Sequence, residues 1–128
     1  MSNRAAFLLV LCLTLVTTGV HAQEANPYNG TWLGTYTTKK GDQRSAVLNL
    51  SGSGGTWKDH LRIKNHPCVG REIPVTVTRA TATALTIRIH GSKFMQGCED
   101  FGAKFNRTGD NTLEGKVRKV GKLRLVRQ

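Results

Sequence analysis

The sequence predicts an all-β protein, an eight-stranded antiparallel up-and-down meander barrel. Three observations predict this fold. Apolar and polar residues alternate with a period of two in short runs, helical periodicity is absent, and Gly, Asn, Asp or Thr separates the runs. Eight such runs with one apolar face favour a closed barrel, because closure leaves no strand edge unpaired.

The strands are expected to follow one another around the barrel, since the connections are short except for residues 91–100. The predicted spans, in chain order, are Gly30 to Thr38, Arg44 to Leu50, Thr56 to Lys64, Glu72 to Arg79, Thr83 to His90, Phe101 to Arg107, Thr112 to Arg118 and Lys122 to Arg127. Inward positions carry apolar side chains such as Trp32, Leu48, Trp57, Ile87, Phe105 and Leu125. Outward positions carry Lys58, Arg88, Lys104, Lys116, Lys122 and other polar residues, which must meet water or a charged partner.

The amino end has the pattern of a secretory signal peptide. Arg4 precedes an apolar run from Ala5 to Val16, and the small-residue sequence Val20-His21-Ala22 follows. The run is shorter than the roughly 20 apolar residues of a membrane span. We therefore expect a signal peptide at residues 1–22, a single barrel domain at residues 23–128 without a transmembrane span, and secretion to a bacterial periplasm or the extracellular space.

Cleavage after Ala22 would leave two cysteines, Cys68 and Cys98. Two cysteines in an oxidising compartment usually pair, and closing a loop of this length would contribute about 3 to 4 kcal/mol in the chain-entropy model. The alternative is a free thiol or a metal ligand, but no CxxC motif is present and His66 is the one imidazole nearby in the sequence. The sequence therefore predicts a disulfide, with no metal site and no cofactor.

The register of the last hairpin can be predicted from its turn. A three-residue turn, Lys119-Val120-Gly121, with Gly121 in the left-handed region keeps Leu113 and Leu125 on the inner face. This register places the cations of the outer face opposite one another, Arg118 against Lys122 and Lys116 against Arg124. It also places Arg127 on the inner face opposite Leu113, where a buried cation requires a partner.

The first strand opens with Gly30-Thr31-Trp32 and the last strand ends in Arg127. In these features the chain resembles the calycin superfamily of lipocalin-like and avidin-like barrels. The resemblance covers these residues and the strand pattern. It implies that Trp32 closes one end of the barrel and that Arg127 lies across the indole ring, both in structural roles.

A second cluster is expected at the opposite end. In a meander of eight strands, the connections that carry Cys68 and Cys98 emerge at the same end, opposite to Trp32 and Arg127. The residues expected around this end are Lys39, Lys40, His66, Arg71, Lys93, Phe94 and Met95. They form either a solvated rim of loops or a binding site, of which Lys39, Lys40, Arg71 and Phe94 are the candidate ligand contacts.

Charge indicates the class of partner. The chain has 19 Lys and Arg against 8 Asp and Glu, an excess that attracts polyanions. We expect a non-catalytic binding protein whose basic surface, Lys116, Arg118, Lys122 and Arg124, meets an anionic glycan, lipopolysaccharide or an acidic protein. The alternatives are a lipocalin-like carrier of a small apolar ligand in the lumen, or inhibition of an enzyme by the loop that holds Phe94 and Met95. A nucleic-acid barrel is less favoured, because the aromatic residues fall on the inner face.

Catalysis has little support in the sequence. His60, His66 and His90 lack metal-ligand spacing, and no serine lies in a Gly-x-Ser-x-Gly elbow. Asp59 falls on the apolar face, where a carboxylate hydrogen-bonded at the barrel end is the commoner explanation. We therefore expect no enzymatic activity.

Overall fold

A computed structural model describes residues 25–60, 66–118 and 120–128. The predicted signal peptide, residues 1–22, lies outside this range. The strands are β1 (Gly30–Thr37), β2 (Gln43–Ser51), β3 (Gly54–Asp59), β4 (Ile73–Ala80), β5 (Ala84–His90), β6 (Asp100–Gly109), β7 (Thr112–Val117) and β8 (Gly121–Arg127). Each pairs antiparallel with the next, and β8 pairs with β1. The predicted fold, a closed eight-stranded up-and-down barrel, is confirmed.

Strand boundaries agree with the predicted spans to within one or two residues, except in the third strand. The third strand was predicted over Thr56 to Lys64, whereas β3 ends at Asp59 and residues 61–65 lie outside the described part of the chain. The connection predicted as a loop contains one helical turn, α1 (Gly91–Phe94). This turn forms because the Asp100 carboxylate accepts hydrogen bonds from the backbone N–H and the hydroxyl of Ser92, at 2.9 and 2.8 Å.

The core fills the inside of the barrel, because every second residue of each strand points inward. The largest of the fully buried side chains are Trp32, Trp57, Tyr28, Phe105, Leu48, Leu85, Ile87, Ile89, Leu113, Leu123 and Leu125. Trp57 meets Phe101 edge to face, with ring centroids 6.3 Å apart. Each buried aliphatic or aromatic side chain contributes roughly 1.5 to 3 kcal/mol, so this interior supplies the main favourable term in folding.

The two ends of the barrel differ. We call the end that holds the start of β1 and the end of β8 the plug end, and the end that holds residues 38–42, 91–99 and 118–120 the loop end. Cys68 and Cys98 form a disulfide at the loop end, with a Cα–Cα distance of 5.8 Å. The predicted bond, and its position opposite to Trp32, are confirmed.

The plug end is closed by the residues that the calycin resemblance singled out. Trp32 is 1% exposed, and its indole N–H donates to the Tyr28 carbonyl at 2.9 Å. The Arg127 guanidinium lies over the indole ring, with Cζ 4.3 Å from the ring centroid. It also donates to the carbonyls of Asn29 and of Pro27, the latter at 2.8 Å. Arg127 therefore contacts Trp32 on β1 and two carbonyls of the segment that leads into β1.

The predicted register of the last hairpin is wrong by two residues. Leu113 pairs with Leu125 rather than with Arg127. Gly121 has the expected positive φ, +109°, but it pairs with Val117 and so belongs to β8 rather than to the turn. The connection therefore begins after Val117 and ends before Gly121. The inner and outer faces remain as predicted, because a slip of two residues preserves the alternation of side chains.

Candidate functional site

Three lysines form a straight row across the outer face of the barrel. Lys104 on β6 is the direct partner of Lys116 on β7, and Lys116 is the direct partner of Lys122 on β8. All three are exposed. Neighbouring strands lie about 4.8 Å apart, so the row places the Cα atoms of three lysines within roughly 10 Å along the direction of the ladder hydrogen bonds. We call these residues the lysine row.

The lysine row is only partly neutralised. Lys122 Nζ lies 3.3 Å from Glu114 Oε2, and the Lys122 side chain remains 73% exposed. Glu114 is also the direct partner of Arg124 on β8, so two cations flank the same acidic residue. Beside the row lies an open depression of about 380 Å³, to which Asn106 and Thr108 contribute polar side chains. This surface presents a surplus of positive charge next to neutral hydrogen-bonding groups.

The structure rearranges the predicted hairpin pairs. Lys116 faces Lys122 rather than Arg124, and Arg124 faces Glu114. Arg118, predicted to face Lys122, lies in the turn after β7 and is exposed. Lys104 was not among the predicted site residues. Its outward position was visible in the alternation, but only the pairing of β6 with β7 places it beside Lys116.

The remaining predicted contacts are spread over the loop end. Lys39 and Lys40 are exposed in the turn between β1 and β2, Arg71 is exposed just before β4, and Phe94 ends α1. Phe94 is 38% exposed, as is Met95 beside it. These residues share one end of the barrel, as predicted, but they belong to three different connections. They form a rim with mixed chemistry rather than an ordered array of charges.

The barrel interior contains one buried acid among the described residues, Asp59, which is 5% exposed. Its Oδ2 accepts a hydrogen bond from the Trp57 indole N–H at 2.7 Å, and its Oδ1 has no partner. Most apolar side chains of the described interior are buried, including Trp57, Phe105 and Leu85, while Tyr36 and Val77 are partly buried. This packing gives the lipocalin-like carrier hypothesis no additional support.

A polar cluster on the outer face was not anticipated. The Thr76 hydroxyl lies 2.8 Å from His90 Nε2, and His90 is the direct partner of Asp100. Hydrogen bonds from Ser92 to the Asp100 carboxylate hold its pKa below the ordinary value, and the nearby charges of His90 and Arg88 act in the same direction. The cluster lies on a convex strand surface and serves to fix α1 against β6.

The described residues contain neither a metal-binding set of side chains nor a membrane-spanning helix. No set of three or more His, Cys, Asp or Glu side chains in the described ranges is arranged to hold a metal ion. No helix within those ranges is both long enough and apolar enough to span a membrane.

Comparison with known proteins assigns this chain to no family. No protein-family model matches the chain, and no curated protein matches it. A solved structure of a redesigned beta barrel is similar, with a TM-score of 0.43 and 20% sequence identity, over 80% of this chain and 92% of that one. This similarity to another β-barrel gives no information about the ligands of this chain.

Proposed function

We propose that this chain is a secreted, calycin-like binding protein that uses the lysine row to bind a multivalent anion. The observation that carries the proposal is the direct cross-strand pairing of Lys104, Lys116 and Lys122. The apolar leader and the disulfide at Cys68 and Cys98 support a periplasmic or extracellular destination. The contact between Arg127 and Trp32 supports the calycin-like assignment.

The lysine row lowers the stability of the unbound protein. Like charges directly opposite one another on paired strands are destabilising, and Glu114 offsets only part of this repulsion. A partner with several acidic groups would supply the missing negative charge to all three lysines at once. The net positive charge of the whole chain would also attract such a partner from a distance and speed association.

The chemistry of the surface narrows the partner class. An anionic glycan, lipopolysaccharide or an acidic protein presents repeated acidic groups that lysines bind as point charges. Single-stranded nucleic acid is less favoured, because its proteins stack bases on exposed aromatic rings. Here Trp32, Trp57 and Phe105 are buried in the barrel.

Heparin provides a lipid-free polyanion to test the proposal. We expect the mature, disulfide-bonded protein to bind heparin. The triple variant Lys104→Gln, Lys116→Gln, Lys122→Gln should elute from heparin at a lower salt concentration than the parent. Binding of the parent should weaken steeply with salt, and the slope should be shallower in the variant, since fewer counterions are released.

A charge-matched control separates the lysine row from the rim. The triple variant Lys39→Gln, Lys40→Gln, Lys93→Gln removes the same charge from exposed positions at the loop end. It should elute close to the parent. If it elutes earlier than the lysine-row variant, the loop end is the binding surface and the proposal is wrong. Equal elution of both variants would show an effect of net charge alone, which also contradicts it.

A further inference from the structure

An exposed apolar pair lies on the same side of the barrel as the lysine row. Leu33 on β1 and Val126 on β8 are direct partners on the outer face, 36% and 40% exposed. Val47 on β2 is the next partner of Leu33 and is half-buried. The other exposed large apolar side chains of the described residues, Phe94 and Met95, lie at the loop end.

Strand β8 connects the charged and apolar groups. Lys122, Arg124 and Val126 occupy every second position, so all three point outward and span about 14 Å along the strand. Lys116 stands beside Lys122, and Leu33 stands beside Val126. We call these five residues the β8 strip. The β8 strip therefore presents cations at one end of the strand and aliphatic side chains at the other.

We propose that the β8 strip docks on an anionic lipid surface, with lipid phosphates at the cations and with Leu33 and Val126 entering the interface. The proposal rests on the proposed function and names its partner. A fully hydrophilic polyanion would gain nothing from the apolar pair, whereas lipid provides both phosphate and hydrocarbon. Lysine side chains suit such a surface, because their apolar stems lie along it while the ammonium groups reach the headgroups.

A second copy of the chain is a poorer occupant of the β8 strip. Two strips packed face to face would bring Lys116, Lys122 and Arg124 of each copy against those of the other. Glu114 is the acidic residue beside Lys122 and Arg124 in each copy, so two carboxylates would have to offset six cations. Charge complementarity therefore favours an anionic lipid surface over self-association.

The test compares sedimentation with phosphatidylcholine vesicles and with vesicles that also contain phosphatidylglycerol. We expect the mature, disulfide-bonded protein to bind only the anionic vesicles. The variant Leu33→Thr with Val126→Thr keeps residues that suit strands and should bind these vesicles about tenfold more weakly, the factor expected from losing two partly exposed aliphatic contacts. Its elution from heparin should not change. Val126→Phe, which enlarges the apolar contact, should strengthen vesicle binding and leave heparin elution as in the parent.

The matched control is Phe94→Thr with Met95→Thr, which removes the other exposed apolar pair. It should bind anionic vesicles as the parent does. If this control loses vesicle binding while the variant at Leu33 and Val126 keeps it, the loop end meets the lipid and the inference is wrong. Binding to heparin without binding to vesicles would overturn the lipid partner and leave the proposed function intact. Failure to bind either probe would overturn both.

Discussion

Arg127 and Trp32 are direct partners on β8 and β1, and the guanidinium lies over the indole with Cζ 4.3 Å from the ring centroid. One side chain thus joins the last strand of the barrel to the first. The same guanidinium donates hydrogen bonds to the carbonyls of Pro27 and Asn29. It therefore also holds the segment that leads into β1 against the plug end.

Arg127→Ala should lower the free energy of unfolding by about 1 to 3 kcal/mol, because it removes the cation–π contact and leaves two carbonyls without their donor. Arg127→Met keeps part of the packing on Trp32 and should cost less. Urea denaturation measures both effects. Arg124→Ala, on the exposed face of the same strand, is the control and should change stability by about 0.5 kcal/mol or less. An unchanged midpoint for Arg127→Ala would show that the contact adds no stability.

Gly30→Ala should also destabilise the plug end. Gly30 has φ +121°, which residues with a side chain rarely adopt, and a Cβ there would lie 3.3 Å from the Arg127 guanidinium. We expect a loss of about 1 to 3 kcal/mol by denaturation. Gly102→Ala is the matched control, since Gly102 is exposed in β6 and its Cβ would meet only ordinary contacts. Equal stability of the two variants would contradict the strain argument.

Removal of the disulfide should lower stability by about 3 to 4 kcal/mol, because the link between Cys68 and Cys98 restricts the unfolded chain. The double variant Cys68→Ala, Cys98→Ala should keep the circular dichroism spectrum of a β-barrel and melt at a lower temperature. Mass-tagging of the unreduced parent should find no free thiol. A tagged cysteine in that sample would contradict the bond.

Lys116→Glu should raise the free energy of unfolding by a few tenths to about 1 kcal/mol, because it replaces two like-charge pairs, with Lys104 and Lys122, by attractive ones. The same change should weaken heparin binding. A gain in stability together with a loss of heparin binding would indicate that the lysine row contributes to binding and lowers stability. Lys39→Glu, at an exposed position in the turn between β1 and β2, is the control and should change neither property. A less stable Lys116→Glu protein would contradict the arrangement of the row.

Asp100 should make stability depend on pH in the acid range. Its folded-state pKa lies below the ordinary value, so its charged form is favoured by folding. The resulting stability is fully present above the unfolded pKa of about 4 and is lost as the pH falls through the lower folded pKa. Asp100→Asn should therefore be less stable than the parent near neutral pH, with the difference shrinking on acidification. A difference that stays constant with pH would rule out the carboxylate charge as its source.

Much of the fold follows from the alternation of the sequence. The alternation and the cysteine count predict the inward positions of Trp32, Trp57 and Phe105, the order of the strands and the pairing of Cys68 with Cys98. Period-two alternation assigns each side chain to a face, and burial of one face specifies which. The short helix α1 could not be predicted in this way, because its first turn depends on a hydrogen bond from Ser92 to Asp100, the first residue of β6.

For the candidate site, the sequence predicts which side chains point outward, whereas the tertiary structure decides which of them lie side by side. The sequence established that Lys104, Lys116, Lys122 and Arg124 point outward, but it paired Lys116 with the wrong cation. A slip of two residues between paired strands leaves every side chain on its own face, so the alternation that defines the core does not distinguish between such registers. The closed barrel selects one register, in which Lys104, Lys116 and Lys122 align across three strands and Arg124 faces Glu114. The outward charges were therefore determined by the local sequence, whereas their alignment into one row was decided by the pairing of strands around the barrel.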